Sequence, residues 1–310
     1  MTANIVLQTS KVLTLDLKPS NIHSYLPSCE LKWRQKNLWV KSVSSNANYS
    51  FPALTRKQWL ENCLHNSWIK RVCVDLELGE QGIKLWADTC RTAEMPIFVR
   101  INSNSELPNC RQTNYWRVKR VFDWLAALIL IMVSTPLMLL IALLIKITTP
   151  GSVFFSQWRV GERGKLFKIY KFRTMHVDAE QQHNELMGNQ HGLHKLKQDP
   201  RITFLGRLLR KYSLDELPQL FNVLLGQMSL VGPRPWALYD ALRLEDNNKK
   251  RLNALPGITG AWQVESRSQL LDLNAVTKCD LKYLSGWSLI GDLKILLLTI
   301  PKVLIGSGAY

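Results

Sequence analysis

The sequence contains no Cys-x-x-Cys pair, and its six cysteines follow no regular spacing. Five of them (Cys29, Cys63, Cys73, Cys90 and Cys110) fall in the first 110 residues. That pattern excludes a compact disulfide scaffold and is read as reduced thiols in a cytoplasmic domain. Residues 1–30 carry no continuous apolar core, so no secretory signal is expected and the start of the chain is placed in the cytosol. Acidic residues are scarce beside basic ones, 24 against 40, for a formal net charge of +16. The imbalance is an excess of 5 up to residue 113 and of 11 beyond it. Such a surplus suits nucleic acid, anionic lipid or phosphorylated substrates alike, so charge alone selects none of them. Disorder is excluded by a 46% hydrophobic content, and 310 residues leave room for two modest domains.

Residues 1–113 are read as a small soluble α/β domain. Leu38-Trp39-Val40, Arg71–Leu76 and Ile97–Ile101 have strand character, while Thr55–Asn66 and Gly79–Glu94 have helical character. Strand, helix and strand from Arg71 to Ile101 fit a βαβ crossover. No glycine-rich phosphate loop follows either strand, which leaves nucleotide binding here unsupported. Residues 102–109 are expected to form a linker. His191-x-x-His194 and the other histidines from His176 onward could be a zinc site, but the spacing matches no compact ligand set. A solvated linker is the plainer alternative.

The longest uncharged stretch runs from Trp124 to Ile145, enough to cross a bilayer as one helix. Ser134-Thr135-Pro136 falls at its centre. Proline removes a backbone hydrogen bond there, and the two hydroxyls can satisfy the carbonyls a bend would free. Arg117, Lys119 and Arg120 precede the stretch, and Lys146, Arg159, Arg163, Lys165 and Lys168 follow it, so both ends are drawn to the cytoplasmic face. A re-entrant helix–break–helix hairpin over about residues 117–147 satisfies both demands and is preferred to a single crossing. Eleven tryptophans, with Trp116, Trp124 and Trp158 beside basic residues, also lean toward a membrane interface. Near the C-terminus, Leu289 to Ile305 is apolar but broken by Asp292, Lys294, Pro301 and Lys302. An interfacial amphipathic helix or a buried core helix are the two alternatives.

Ser213-Leu214-Asp215-Glu216-Leu217-Pro218-Gln219-Leu220 places two adjacent carboxylates on what is expected to be the first turn of a helix, preceded by Arg207, Arg210 and Lys211. Ser213 with Glu216 fits a capping box, which leaves Asp215 unexplained. A helix N-terminus lets a carboxylate pair share its space with an anionic ligand and a divalent cation, which is the chemistry of phosphoryl transfer. The apolar continuation Leu217, Leu220, Phe221, Leu224 and Leu225 ends near Gly226. Downstream, Arg234 stands between Pro233 and Pro235.

In order along the chain, the basic entry to a proline-broken apolar segment is followed by Lys171-Phe172-Arg173-Thr174-Met175, Asp199-Pro200-Arg201, Ser213–Leu220 and Gly232-Pro233-Arg234-Pro235. Pro256-Gly257-Ile258-Thr259-Gly260, Trp262-Gln263-Val264 and Asp280-x-x-Tyr283 come next. From about Trp116 onward this set resembles the bacterial sugar transferase family, the monotopic phosphoglycosyl transferases. The resemblance implies an α-rich monotopic membrane catalytic domain over 114–310, with a re-entrant hairpin, a cytoplasmic part at 150–310 and interfacial amphipathic helices. It implies transfer of a sugar 1-phosphate from a UDP-sugar to polyprenyl (undecaprenyl) phosphate with release of UMP, as the first membrane step of exopolysaccharide or other glycan assembly. The location it implies is the cytoplasmic face of the bacterial inner membrane.

Carried over residue by residue, the resemblance makes Asp215 the nucleophile of a covalent aspartyl intermediate and Glu216 the ligand of a magnesium ion. Lys171, Arg173, Arg201, Arg210, Arg234 and Arg267 would bind substrate phosphates, with Asp280, Pro233 and Pro235 in support; Asp280 could simply orient an arginine. For any one of these arginines, an anionic-lipid contact or a surface charge is the plain alternative. Glu265-Ser266 precede Arg267 where the family often has glycine, so a different loop backbone is expected there. Implied partners are the UDP-sugar, polyprenyl phosphate, anionic lipid and downstream glycosyltransferases, with no nucleic acid and with homo-oligomer formation left open. The rival from another class is a membrane-anchored, non-catalytic scaffold that binds anionic lipid or partner proteins.

Overall fold

The computed structural model describes residues 29–42, 57–101, 113–180, 199–266 and 272–306. Residues 102–109, Cys110, Arg267 and the histidines beyond His176 therefore lie outside the described residues. The chain divides into two compact units, the first built from residues up to Ile101 and the second from most of the remainder.

In the first unit, β1 (Cys29–Arg34) and β2 (Asn37–Ser42) pair antiparallel with Arg34 opposite Asn37. Gln35 and Lys36, both at positive φ, form the two-residue turn whose twist suits a hairpin. After α1 (Lys57–His65), β3 (Arg71–Val74) joins β2 in parallel. β4 (Ile97–Val99) joins β3 in parallel after α2 (Gly79–Thr92), which gives the sheet order β1-β2-β3-β4. The crossover from Arg71 onward is thus present. β1 has no counterpart among the expected strands. Val72, Val74, Ile97 and Val99 are buried, as strands of a covered parallel sheet must be. Burial pushes the Cys29 and Cys90 thiols up to about 11 and about 12, which makes them poor nucleophiles.

The second unit opens with α3 (Thr113–Thr148), 36 residues and roughly 54 Å long at 1.5 Å per residue. It is the one helix among the described residues long and apolar enough to cross a membrane. Pro136 lies inside it and does not divide it into two helices, contrary to the expected helix–break–helix. The hydroxyls act locally: Ser134 Oγ donates to the Leu130 carbonyl at 2.6 Å and Thr135 Oγ1 to that of Ile131 at 2.7 Å. Neither serves Met132, the residue whose carbonyl the proline nitrogen cannot reach.

One stripe of α3 is buried and the rest is not. Ala127 packs with Leu220, Met228 and Leu230, and Met138, Ile141 and Ile145 pack with Phe172 and Leu209. Val133, Leu139 and Ile147 on the other side are 73%, 66% and 71% exposed. Mixed α/β structure follows. β5 (Phe154–Val160) lies between β6 (Leu166–Phe172) and the short β8 (Trp236–Ala237), and β7 (Ser229–Val231) pairs in parallel with β9 (Gly257–Thr259). The helices in chain order are α4 (Phe204–Lys211), α5 (Gln219–Leu224), α6 (Leu238–Leu242), α7 (Asp246–Lys249), α8 (Ala261–Ser266), α9 (Leu273–Ser285) and α10 (Leu289–Ile305).

Two of the basic residues counted as flanking the apolar segment, Lys119 and Arg159, and one tryptophan, Trp158, are instead buried, and Arg120 is half-buried. Lys119 ion-pairs with Asp292 at 2.6 Å and donates to the Val231 carbonyl, and Arg120 donates to the carbonyls of Met228 and Gly226. Arg159 and Trp158 are buried at 8% and 7% exposure. Both local charge counts shrink accordingly, although Arg117, Lys146, Arg163 and Lys165 remain exposed.

Candidate active site

Asp215 and Glu216 sit on a single 3-10 turn, Leu214–Glu216, between α4 and α5. The expected capping box is absent. Ser213 adopts a left-handed backbone (φ 54°, ψ 21°) and its side chain caps nothing; the Glu216 N–H is taken by the Ser213 backbone carbonyl at 3.1 Å. A cap needs an extended backbone at that position, and the corner between α4 and the turn needs a left-handed one. α5 has only six residues, so the helix dipole lends the carboxylates little. They are positioned by packing. Leu214 and Leu217, one on each side of the pair, bury against the Met138, Ile141 and Ile145 stripe of α3. α5 stops at Gly226, whose φ of 75° suits the residue that ends a helix.

Lys171 on β6 is the cation of the pair. Its Nζ lies 2.6 Å from Glu216 Oε1 and 4.0 Å from Asp215 Oδ2. Asp215 is buried at 8% exposure. Burial pushes its carboxyl up to about 6; Glu216 adds to the rise, and Lys171 and Arg210 oppose it. The group is therefore mainly ionised at neutral pH, yet poorly solvated. Arg210, on the last turn of α4, donates from Nε to Thr174 Oγ1 at 2.9 Å, and burial lowers its pKa against the opposing pull of Asp215.

A small cleft, partly open to solvent, is lined by Lys171, Glu216, Arg234 and Pro235, with Arg159 and Gln263 also in its wall. Arg234 and Lys171 thus meet the carboxylate turn. Arg173 and Arg201 do not line this cleft. Arg173 donates to the backbone carbonyl and hydroxyl of Thr149 at 3.0 and 2.9 Å, clamping the segment that leaves α3. Arg201 makes a two-point contact with Asp199 at 2.8 and 2.7 Å. Asp280, at 1% exposure, pairs with Arg251 at 2.6 Å, and Arg251 donates to the Arg234 carbonyl at 2.7 Å. It orients an arginine, and Arg251 is a residue that sequence reasoning missed. Arg159 was counted only as a flanking charge. Its true place follows from the pairing of Val160 with Trp236, which sets it beside Pro235.

Among the described residues, no three or more His, Cys, Asp and Glu side chains gather as a metal cluster. The available anionic donors are Asp215 and Glu216. One or two carboxylates completed by substrate phosphates and water suit a hard ion such as Mg²⁺, and not a closed zinc site.

The sequence profile described as "Bacterial sugar transferase" matches residues 114–306. The chain belongs to that family. Among its bacterial sugar transferase relatives, exopolysaccharide production protein ExoY of Rhizobium meliloti is 39% identical, over 71% of this chain and 98% of its own length. The UDP-glucose:undecaprenyl-phosphate glucose-1-phosphate transferase of Caulobacter vibrioides is 42% identical, over 62% of this chain and 72% of its own. The undecaprenyl-phosphate galactose phosphotransferase of Salmonella typhimurium is 43% identical over 62% of this chain. The match spans only 42% of that longer protein. As a member of the sugar transferase family the chain is an enzyme of group transfer, and its long apolar helix marks it as membrane-associated.

Proposed function

We propose that the chain transfers a sugar 1-phosphate from a UDP-sugar to undecaprenyl phosphate at the cytoplasmic face of the bacterial inner membrane. The observation that carries this is Asp215, a buried carboxylate 4.0 Å from Lys171, which with Glu216 and Arg234 lines a cationic cleft, in a chain with relatives named for transfer to undecaprenyl phosphate. Asp215 attacks the β-phosphorus, the bond from that phosphorus to the bridging oxygen breaks, and UMP leaves with the electron pair. An oxygen of undecaprenyl phosphate then displaces the carboxylate from the acyl phosphate, which restores Asp215. Splitting the transfer lets one site meet a water-soluble and a lipid substrate in turn. Lys171 and Arg234 face the charge that develops on the phosphates. Glu216 would hold Mg²⁺, which when bound neutralises negative charge on the diphosphate. Both ends of α3 stay on the cytoplasmic side, with the undivided helix and α10 seated in the interface of that one leaflet.

UMP release from membranes containing the protein, with undecaprenyl phosphate, magnesium and a panel of UDP-sugars, tests the proposal. Release with at least one donor, abolished in Asp215→Asn, is expected. Turnover above a tenth of the parent rate in that variant, about 1.4 kcal/mol of barrier, would sink the nucleophile assignment. No release with any donor would favour a membrane-anchored scaffold.

A further inference from the structure

Two buried polar atoms on residues that line the cleft have no partner among the described residues, and they are complementary in kind, one a donor and one an acceptor. Arg159 is 8% exposed. Its terminal nitrogens are held at 3.1 Å by the Pro235 carbonyl and at 2.6 Å by Gln157 Oε1, while its Nε–H is unmatched. Gln263 is 9% exposed. Its Nε2 donates to the Ile258 carbonyl at 3.2 Å, which fixes the orientation of the amide and leaves Oε1 as a buried acceptor with nothing to accept from. Each has given up its water without gaining a partner, which is costly to leave unmet. Native proteins tolerate such groups chiefly where a ligand or water completes them.

The chemistry of the missing partner is narrow. Oε1 needs a donor, so it cannot face a phosphate, which at neutral pH has only acceptor oxygens to offer. Nε–H needs an acceptor. A hydroxyl is both at once. Lys171, Glu216 and Arg234 line the same cleft. On the proposed reaction, which this inference rests on, the sugar is joined directly to the phosphorus that Asp215 attacks, while uracil lies beyond the ribose and the α-phosphate. We infer that Arg159 and Gln263 bind a hydroxyl of the transferred sugar and so set which UDP-sugar is used. Neither residue acts on the phosphorus; both are specificity-determining contacts. A site that reads a hydroxyl with buried polar groups discriminates more strongly than an apolar pocket can.

The test uses the full-length protein in membranes, the UDP-hexose it turns over fastest, and the 2-, 3-, 4- and 6-deoxy forms of that donor. Gln263→Met keeps the side chain's volume and removes its acceptor; Arg159→Lys keeps the charge and removes Nε–H. Each variant should lose at least tenfold in kcat/KM for the natural donor. One and the same deoxy donor should show no further loss in either, while inhibition by UMP stays within twofold of wild type. Equal losses across all donors would mean general packing damage, and no loss would mean that a water serves both atoms. Weakened UMP inhibition would place the contact on the nucleotide. Any of the three overturns the inference. If wild-type protein releases no UMP, the transferase reading fails by itself. Thermal protection by any one UDP-hexose of the panel in wild type but not in Gln263→Met would then still support the sugar contact, and no protection of either by any of them would end it.

Discussion

Asp215 carries a conflict between stability and reactivity. Burial raises its pKa from 3.8 to about 6, so the folded state holds this proton more tightly than the unfolded chain does. The stability gained from that proton is present below about pH 4 and is lost as pH rises through about 6, because folding at neutral pH must bury a charge. Asp215→Asn should therefore raise the melting temperature at pH 7.5, by on the order of 1–3 kcal/mol of stability, and should give no gain near pH 4. A variant less stable than wild type at pH 7.5 would show that Lys171 stabilises the charge by more than burial costs. The same ionisation should set the acid limb of activity: UMP release should fall about tenfold for each pH unit below about 6. The carboxylate pair itself was legible from Asp215-Glu216 in its apolar surroundings. The left-handed corner at Ser213 was not, since a serine three residues before a glutamate reads equally well as a cap. Arg159 was one of 40 basic residues, and the pairing of its strand, with Arg159 opposite Ala237, separates it from the surface ones.

Short elements hold the arginine loop, and they do so through buried charge and close backbone contact. α9 supplies Asp280 to Arg251, whose guanidinium also lies 4.5 Å from the Trp236 ring centroid and donates to the Arg234 carbonyl. Asp280→Ala leaves that guanidinium buried and unpaired, and should cost about 3–5 kcal/mol, read as a lowered thermal midpoint. Replacing the pair together, Arg251→Met with Asp280→Leu, should recover most of the stability. UMP release should stay depressed in that double variant, because the Arg234 carbonyl loses its donor. Recovery of both would make the pair purely structural. Beside it, β7 and β9 approach so closely that a Cβ on Gly257 would lie 2.1 Å from the Gly232 nitrogen. Gly257→Ala should destabilise by roughly 1–3 kcal/mol and displace the Pro233–Pro235 loop with it. The glycines and prolines of these two motifs were visible along the chain. Their mutual contact was not, because strands of three residues pair through tertiary packing with almost no periodic signal.

At the scale of the molecule, the decisive fact is that one unit grips α3 near both ends. Toward its start, Lys119 reaches Asp292, which also accepts from Tyr283 and Trp287, and Asp123 accepts from Ser229 Oγ at 2.6 Å. Toward its end, Met138, Ile141 and Ile145 pack on Leu209 and Phe172, and Arg173 holds Thr149. A helix that crossed the bilayer would carry these two sets of contacts to opposite faces of a hydrocarbon core about 30 Å thick, with one folded unit on both sides. A unit seated on one leaflet meets both at once. Other apolar side chains of the unit are exposed as well: Phe204 is 84% exposed on α4, Leu225 63% just past α5, and Ile290 82% on α10. Arg207 stands beside Phe204, so charge and apolar surface meet at one helix, as an interfacial seat requires. Epitope tags at residue 1 and residue 310 should accordingly be digested together when protease is added to the cytoplasmic face of sealed inverted vesicles, and protected together in the opposite orientation. Opposite protection of the two tags would mean a true crossing. The contacts at one end of α3 would then have to break in the membrane, and at about 3–5 kcal/mol for a buried ion pair left unpaired, Lys119 and Asp292 make that end the costly one to release.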